Sequence, residues 1–231
     1  MRMSIFEIFQ HLNNMQTRIF AVLYLAFFSC IITSCSAFSK EDMFHIYCGI
    51  PYNERVIKLK TIFIEWGKAS DNEAQKKNEF LFFQYFPCSF TTFDSIYGYY
   101  PHDKHKGELR PFVDKHLELF FSLNMIPYEI KVKRIVDIAK EANWDDGMEF
   151  QYYLQQHIVI NSSKYFKEIQ KLTDEEIFNI WYYFFDGPHP ENYNDLFKEL
   201  YAKGYTLNKN IAELMQKAYF KLLSEKKCDG H

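Results

Sequence analysis

The chain has 231 residues with 27 Lys and Arg against 30 Asp and Glu, a net charge of −3, a weak negative balance that argues against nucleic-acid binding, which wants a basic face. A length of this order with 48% hydrophobic residues can bury a sizeable core, and one domain is the expectation after the leader. The 24 Phe and 17 Tyr suit either a recognition surface or a core built of rings; Phe, Tyr, Asn, Lys and Ile all have AT-rich codons and all are abundant, which favours the second.

In chain order, the first feature is Ile19 to Thr33, "IFAVLYLAFFSCIIT", an uncharged run preceded directly by Arg18. A spanning helix needs roughly 20 apolar residues, whereas this run passes into small and polar "SCSAFS", the pattern of a cleaved signal. Glu7 is unusual in the segment before such a run, and "MQTR" from Met15 makes a more compact basic flank, so Met15 is a second candidate start.

At the end of the run, Ile32-Thr33-Ser34-Cys35 resembles the lipobox of bacterial lipoprotein precursors: branched aliphatic, small, small, cysteine. Phe27-Phe28-Ser29-Cys30 fits less well, because bulky rings stand where the pattern wants a small residue. The resemblance implies removal of residues 1–34, lipidation of Cys35 and acylation of the new amino terminus. Ser36 after the lipidated residue resembles lipoproteins sorted to the outer membrane. Several acyl chains on one residue hold a protein stably on a bilayer, since each buried methylene contributes about 0.8 kcal/mol. The expected domain is then 35–231, facing the periplasm.

That domain reads as an all-α antiparallel bundle. Ser39 offers a cap for a short helix ending at Gly49. "VIKLKTIFIEW", 56–66, is β-branched but has no strand partner, so it is read as helix. Glu73 to Phe86 is helical until Pro87, and 96–111 is the longest loop. Apolar spacing then predicts helices over 108–123, 128–141 and 147–160. A capping box from Thr173 to Glu176 opens a helix that ends at Gly187-Pro188. The run Tyr193, Leu196, Phe197, Leu200, Tyr201 stops at Gly204, and Ile211 to Leu223 keeps helical spacing without a miss.

Three stretches contain residues suited to chemistry. In "FFDGPHPEN", Asp186 and His189 have the spacing of an acid–base pair, while the same letters describe a helix-to-helix corner, with Gly187 as left-handed cap and Pro190 in the next first turn. In "NWDDGMEFQ", Asp145 and Asp146, with Glu149 one turn on, suit a divalent cation or split carboxyl pKa values, or else an N-cap and an acidic first turn. In "PHDKHKG", His102, Asp103 and His105 lie close enough to share zinc but are flanked by lysines and lack a fourth ligand. No metal or cofactor is expected. His116 and His157 fall on apolar helix faces, as hydrogen-bonded core residues do. Cys48, Cys88 and Cys228 allow three pairings or none; a Cys48–Cys88 disulfide leaves the tail thiol over.

In general character the chain resembles immunity lipoproteins, small acidic helical proteins that neutralise toxins by direct binding. The expectation is therefore a membrane-anchored periplasmic binding protein with a protein partner. Its alternatives are an envelope hydrolase or metal-dependent enzyme using Asp186, His189, Asp145 and Asp146, and an envelope assembly factor. The expected recognition surface is the "IYGYYPHD" loop, with Tyr97, Tyr99 and Tyr100 beside Asp103, because a loop can expose tyrosines without sacrificing core. Replacing Cys35 by Ala is expected to abolish incorporation of a fatty-acid analogue and to release the protein from membranes or leave it unprocessed; label retained in the variant would disprove lipidation there.

Overall fold

A computed structural model describes residues 48–68, 72–103 and 105–228, with the side chains of 226–228 left aside. The lipobox with Cys35, the signal segment and nearly all of the expected Ser39–Gly49 helix lie outside these residues. Within them the fold is all-α: α1 Tyr52–Trp66, α2 Asn72–Tyr85, α3 Phe90–Tyr97, α4 Val113–Ser122, α5 Tyr128–Ala139, α6 Trp144–Ile169, α7 Asp174–Phe185, α8 Asn194–Leu207 and α9 Lys209–Cys228. Short 3₁₀ turns, Arg110–Phe112 and Pro190–Tyr193, lead into α4 and α8. No helix among the described residues is long and apolar enough to cross a membrane.

Periodicity placed most of these elements, and local chemistry explains their ends. The Thr173 hydroxyl accepts the Glu176 N–H while the Glu176 carboxylate accepts the Thr173 N–H, so the expected capping box forms. Helix α3 was not foreseen, although Ser89 caps it through the Thr92 N–H. Gly204 does not stop α8. It lies inside that helix, buried, where a Cβ would come within 2.9 Å of the Phe166 ring, so its role is close packing. Asn143, not Asp145, caps α6, accepting the Asp146 N–H.

Helix α6 extends well past the expected 147–160 and is broken twice, at Gly147 and Asn161. The first break frees the Gly147 carbonyl, which accepts the Tyr183 hydroxyl at 2.6 Å. At the second, the Asn161 side chain donates to the His157 carbonyl.

The buried apolar residues form a continuous cluster dominated by rings. Phe86 stacks on Phe120 with centroids 3.8 Å apart, Phe197 stacks on Tyr219, and Trp181 is fully buried against Phe166 and Phe184. Polar groups enter this core mainly to satisfy helix ends. No non-Gly residue described has positive φ, so left-handed C-caps are scarce, and side chains from neighbouring helices take the last carbonyls instead. Arg55 of α1 donates to the Tyr85 and Phe86 carbonyls, and Arg134 of α5 donates to the same Phe86 carbonyl, at the end of α2. Lys131 donates to Phe121 and Leu123 at the end of α4. Gln151 and Gln155 of α6 do the same for α7, reaching the carbonyls of Tyr183, Phe184 and Asp186. Arg55 and Arg134 are completely buried, and desolvation holds the Arg134 guanidinium down to about 9.

Cys48 and Cys88 are joined by a disulfide with Cα atoms 5.6 Å apart. It closes a 40-residue separation around α1 and α2, for which chain entropy gives a stabilisation of about 4 kcal/mol.

At Gly147 the helices α6, α7 and α3 approach closely: a Cβ there would lie 2.9 Å from the Tyr183 hydroxyl and 3.0 Å from the Phe90 ring. Gly147→Ala is expected to lower stability by about 1–3 kcal/mol in denaturant unfolding, the usual cost of overpacking. Gly49→Ala is the control, because nothing lies near its Cβ position; equal effects of the two would refute the packing account.

Candidate functional site

The three candidate stretches, far apart in sequence, meet at one end of the bundle. A Cβ on Gly187 would sit 3.6 Å from the Trp144 indole nitrogen, placing the 186–190 corner against the first residue of α6. Arg110, at the base of the 98–109 loop, forms a salt bridge with Glu149 of α6 and donates to the Tyr97 carbonyl. Tyr100 lies within the electrostatic reach of Asp146.

The loop is closed at its base. Gly107, with φ of 66°, donates its N–H to the Ser95 carbonyl at 2.8 Å, and the Leu109 N–H reaches Ile96. Side chains at Gly98 and Gly107 would collide with Asp94 and with the Gly98 carbonyl respectively, so glycine is needed at both for the strands of the loop to touch. Above this base the Tyr100 hydroxyl donates to the Asp94 carboxylate, and Lys106 lies 4.9 Å over the Tyr100 ring. That hydrogen bond, followed by burial and then the carboxylates of Asp94, Asp146 and Asp103, raises the Tyr100 phenol to about 12. The result is a compact, internally braced loop of the kind that often carries function.

Its tyrosines separate into different environments. Tyr99 is 77% exposed and Tyr100 half-buried, but Tyr97 is not a loop residue. It ends α3 and is buried, with its hydroxyl 2.8 Å from His116 Nδ1. The expectation that all three tyrosines share an exposed loop is corrected to Tyr99 and Tyr100. The reason is the helical register of α3, which aligns Tyr97 with Phe93 on the core face.

Asp186 and His189 do not form a pair. The Asp186 carboxylate accepts the Gly187 N–H, while the exposed His189 ring lies 3.1 Å from Glu191. Gly187 has φ of 144°, outside the left-handed helical region expected for it but still a conformation suited to glycine. The carbonyls at the end of α7 are met instead by Gln151 and Gln155, which the sequence did not signal because both read as outward polar residues. Asp145 and Asp146 are exposed in the first turn of α6. Asp103 accepts the His105 N–H in a local turn. Among the described residues no group of His, Cys, Asp and Glu could hold a metal ion.

Met148 and Tyr152 are exposed on successive turns of α6, the helix that carries Glu149. The loop thus exposes Tyr99, with Asp103 half-buried, and the first turns of α6 expose Asp145, Asp146, Met148 and Tyr152. Compared with family models, curated proteins and solved structures, the chain has no match.

Both histidines on apolar helix faces are hydrogen-bonded, as expected, the buried His116 to Tyr97 and the half-buried His157 to Tyr165. Desolvation lowers His116 to about 4; desolvation, then Lys131 and Lys164, lower His157 to about 4. Because both bind protons more readily when unfolded, near 6.5, their contribution is present above that pH and is lost as pH falls from about 6.5 to about 4. Unfolding free energy is expected to decline across this window, and His116→Asn to flatten the decline; a profile unchanged by the substitution would disprove the assignment to His116.

Proposed function

We propose that the chain is a lipid-anchored, envelope-facing binding protein of the immunity type, which neutralises a toxin by direct contact through the end of the bundle formed by the 98–109 loop and the first turns of α6. The observation that carries this reading is the braced loop, which exposes Tyr99 and is tied through Arg110 and Glu149 to α6, a helix whose first turns expose Met148 and Tyr152. Rigid aromatics contribute much contact area at low entropic cost, and the acidic residues around them favour encounter with a basic partner surface. The Cys48–Cys88 disulfide supports an oxidising compartment, in keeping with the lipobox-like Cys35. An enzyme built on Asp186 and His189 has less support, since those side chains engage other groups.

The test is a co-culture of the parent strain with a strain lacking this gene. The deletion strain is expected to be killed and to be rescued by the intact chain, but not by a Tyr99→Ser, Tyr152→Ser variant that retains normal thermal unfolding and membrane attachment. Loss of an aromatic anchor costs about 2 kcal/mol or more at a binding hot spot, so two losses leave little neutralisation. Survival of the deletion strain would overturn the immunity reading, and full rescue by the variant would move recognition elsewhere. An envelope defect in pure culture of the deletion strain would favour an assembly factor instead.

A further inference from the structure

Helix α1 is held to the fold at two places that involve the disulfide or the recognition loop. At its amino end, Arg55 bridges the Cys48 carbonyl to the carbonyls of Tyr85 and Phe86, spanning the same gap that the disulfide closes two residues later at Cys88. Along its length, Val56, Leu59 and Ile62 are buried, and the helix packs chiefly against α2. Phe63 covers the His116 ring at 4.7 Å and meets Phe112.

The loop base touches this same helix. Lys60 pairs with Glu108 at 3.3 Å. The buried Tyr52 hydroxyl has its phenol raised by burial first and by the Glu108 carboxylate next, with the Glu108 backbone N–H opposing and Asp103 adding to the rise. Glu108 stands between Gly107, which closes the loop, and Leu109, which is fully buried. Helix α1 is therefore a strap across the base of the loop, and the covalent bond fastens the strap's leading end.

We propose that the oxidation state of Cys48 and Cys88 sets the order of α1 and, through Tyr52 and Lys60, of the 98–109 loop, so that the recognition surface is completed only where the disulfide forms. This rests on the binding role given above to that loop. The chemistry is dithiol–disulfide exchange with an oxidised dithiol carrier: one cysteine thiolate attacks the carrier disulfide, and the other displaces the carrier from the mixed disulfide. The carrier leaves as its dithiol, the chain loses two electrons and two protons, and one S–S bond replaces another. Before export the thiols are reduced and the strap is loose; after oxidation it is fastened.

The experiment is hydrogen exchange on the full chain in detergent, oxidised and after reduction by a phosphine. Reduction is expected to speed exchange roughly 100-fold or more over residues 52–66, with a smaller but clear increase over 98–109, because a cross-link spanning this much chain contributes that order of change to an opening equilibrium. Helices α7 and α9 should keep their rates. No change in α1, release of α1 without change in the loop, or equal loss of protection in α7 and α9 would each overturn the proposal. Resistance to unfolding is not needed for the readout, since no variant is made. Acid-quenched alkylation of intact cells separates this from the cellular reading. Free Cys48 and Cys88 in the cell, with the exchange result intact, would overturn the envelope location and leave the coupling standing.

Discussion

The end of α2 is the point on which the amino-terminal half depends. A helix leaves its last carbonyls without internal partners, and Pro87 prevents the chain from curling back to satisfy them. Two guanidiniums converge on the Phe86 carbonyl, one from α1 and one from α5. Because each reaches the helix end only if its own helix is correctly rotated, meeting that one acceptor fixes three helices relative to one another. Placing two positive charges at the negative end of a helix dipole also offsets part of their burial cost.

The same solution recurs at α4 and α7 with Lys131 and the Gln151–Gln155 pair. Each capping side chain comes from a helix other than the one it caps, so helix ends become tertiary contacts. A core built from rings has many near-equivalent packings, since flat aromatic faces slide with little penalty. Directional hydrogen bonds at the helix ends select among these packings. Gly147 and Gly204 add to the selection by admitting Tyr183, Phe90 and Phe166 at distances that any side chain would forbid.

Helix positions were legible because apolar spacing is a local property, and the Thr173 box was legible because both of its partners lie within four residues. What escaped reading depends on contacts across the chain. Arg55, Arg134 and Lys131 carry charge and so read as solvent-facing, and only the helix ends placed against them explain their burial. Gly204 looked like a terminator because a buried contact with Phe166 leaves no trace in its neighbours. The case of α3 is different. Ser89 with its Thr92 partner is a usable local start signal, but its eight residues are too short for periodicity to stand out, and Tyr97 was assigned to the loop that follows. Of the candidate site, the loop, the acidic turn and the corner were each recognisable, whereas their meeting at one end was not, because it requires the turn-by-turn direction of α3, α6 and α7.

The closed base of the 98–109 loop separates two kinds of sequence requirement. Gly98, Gly107 and the bonds to Ser95 and Ile96 join the loop's two feet, and this closure requires glycine at both positions. Between them, Tyr100 and Lys106 brace the loop against Asp94 of α3, whereas Tyr99 is exposed and makes no part of that brace. The frame of the loop is thus set by its feet and by one internal brace, and the exposed Tyr99 side chain can be exchanged without loss of either.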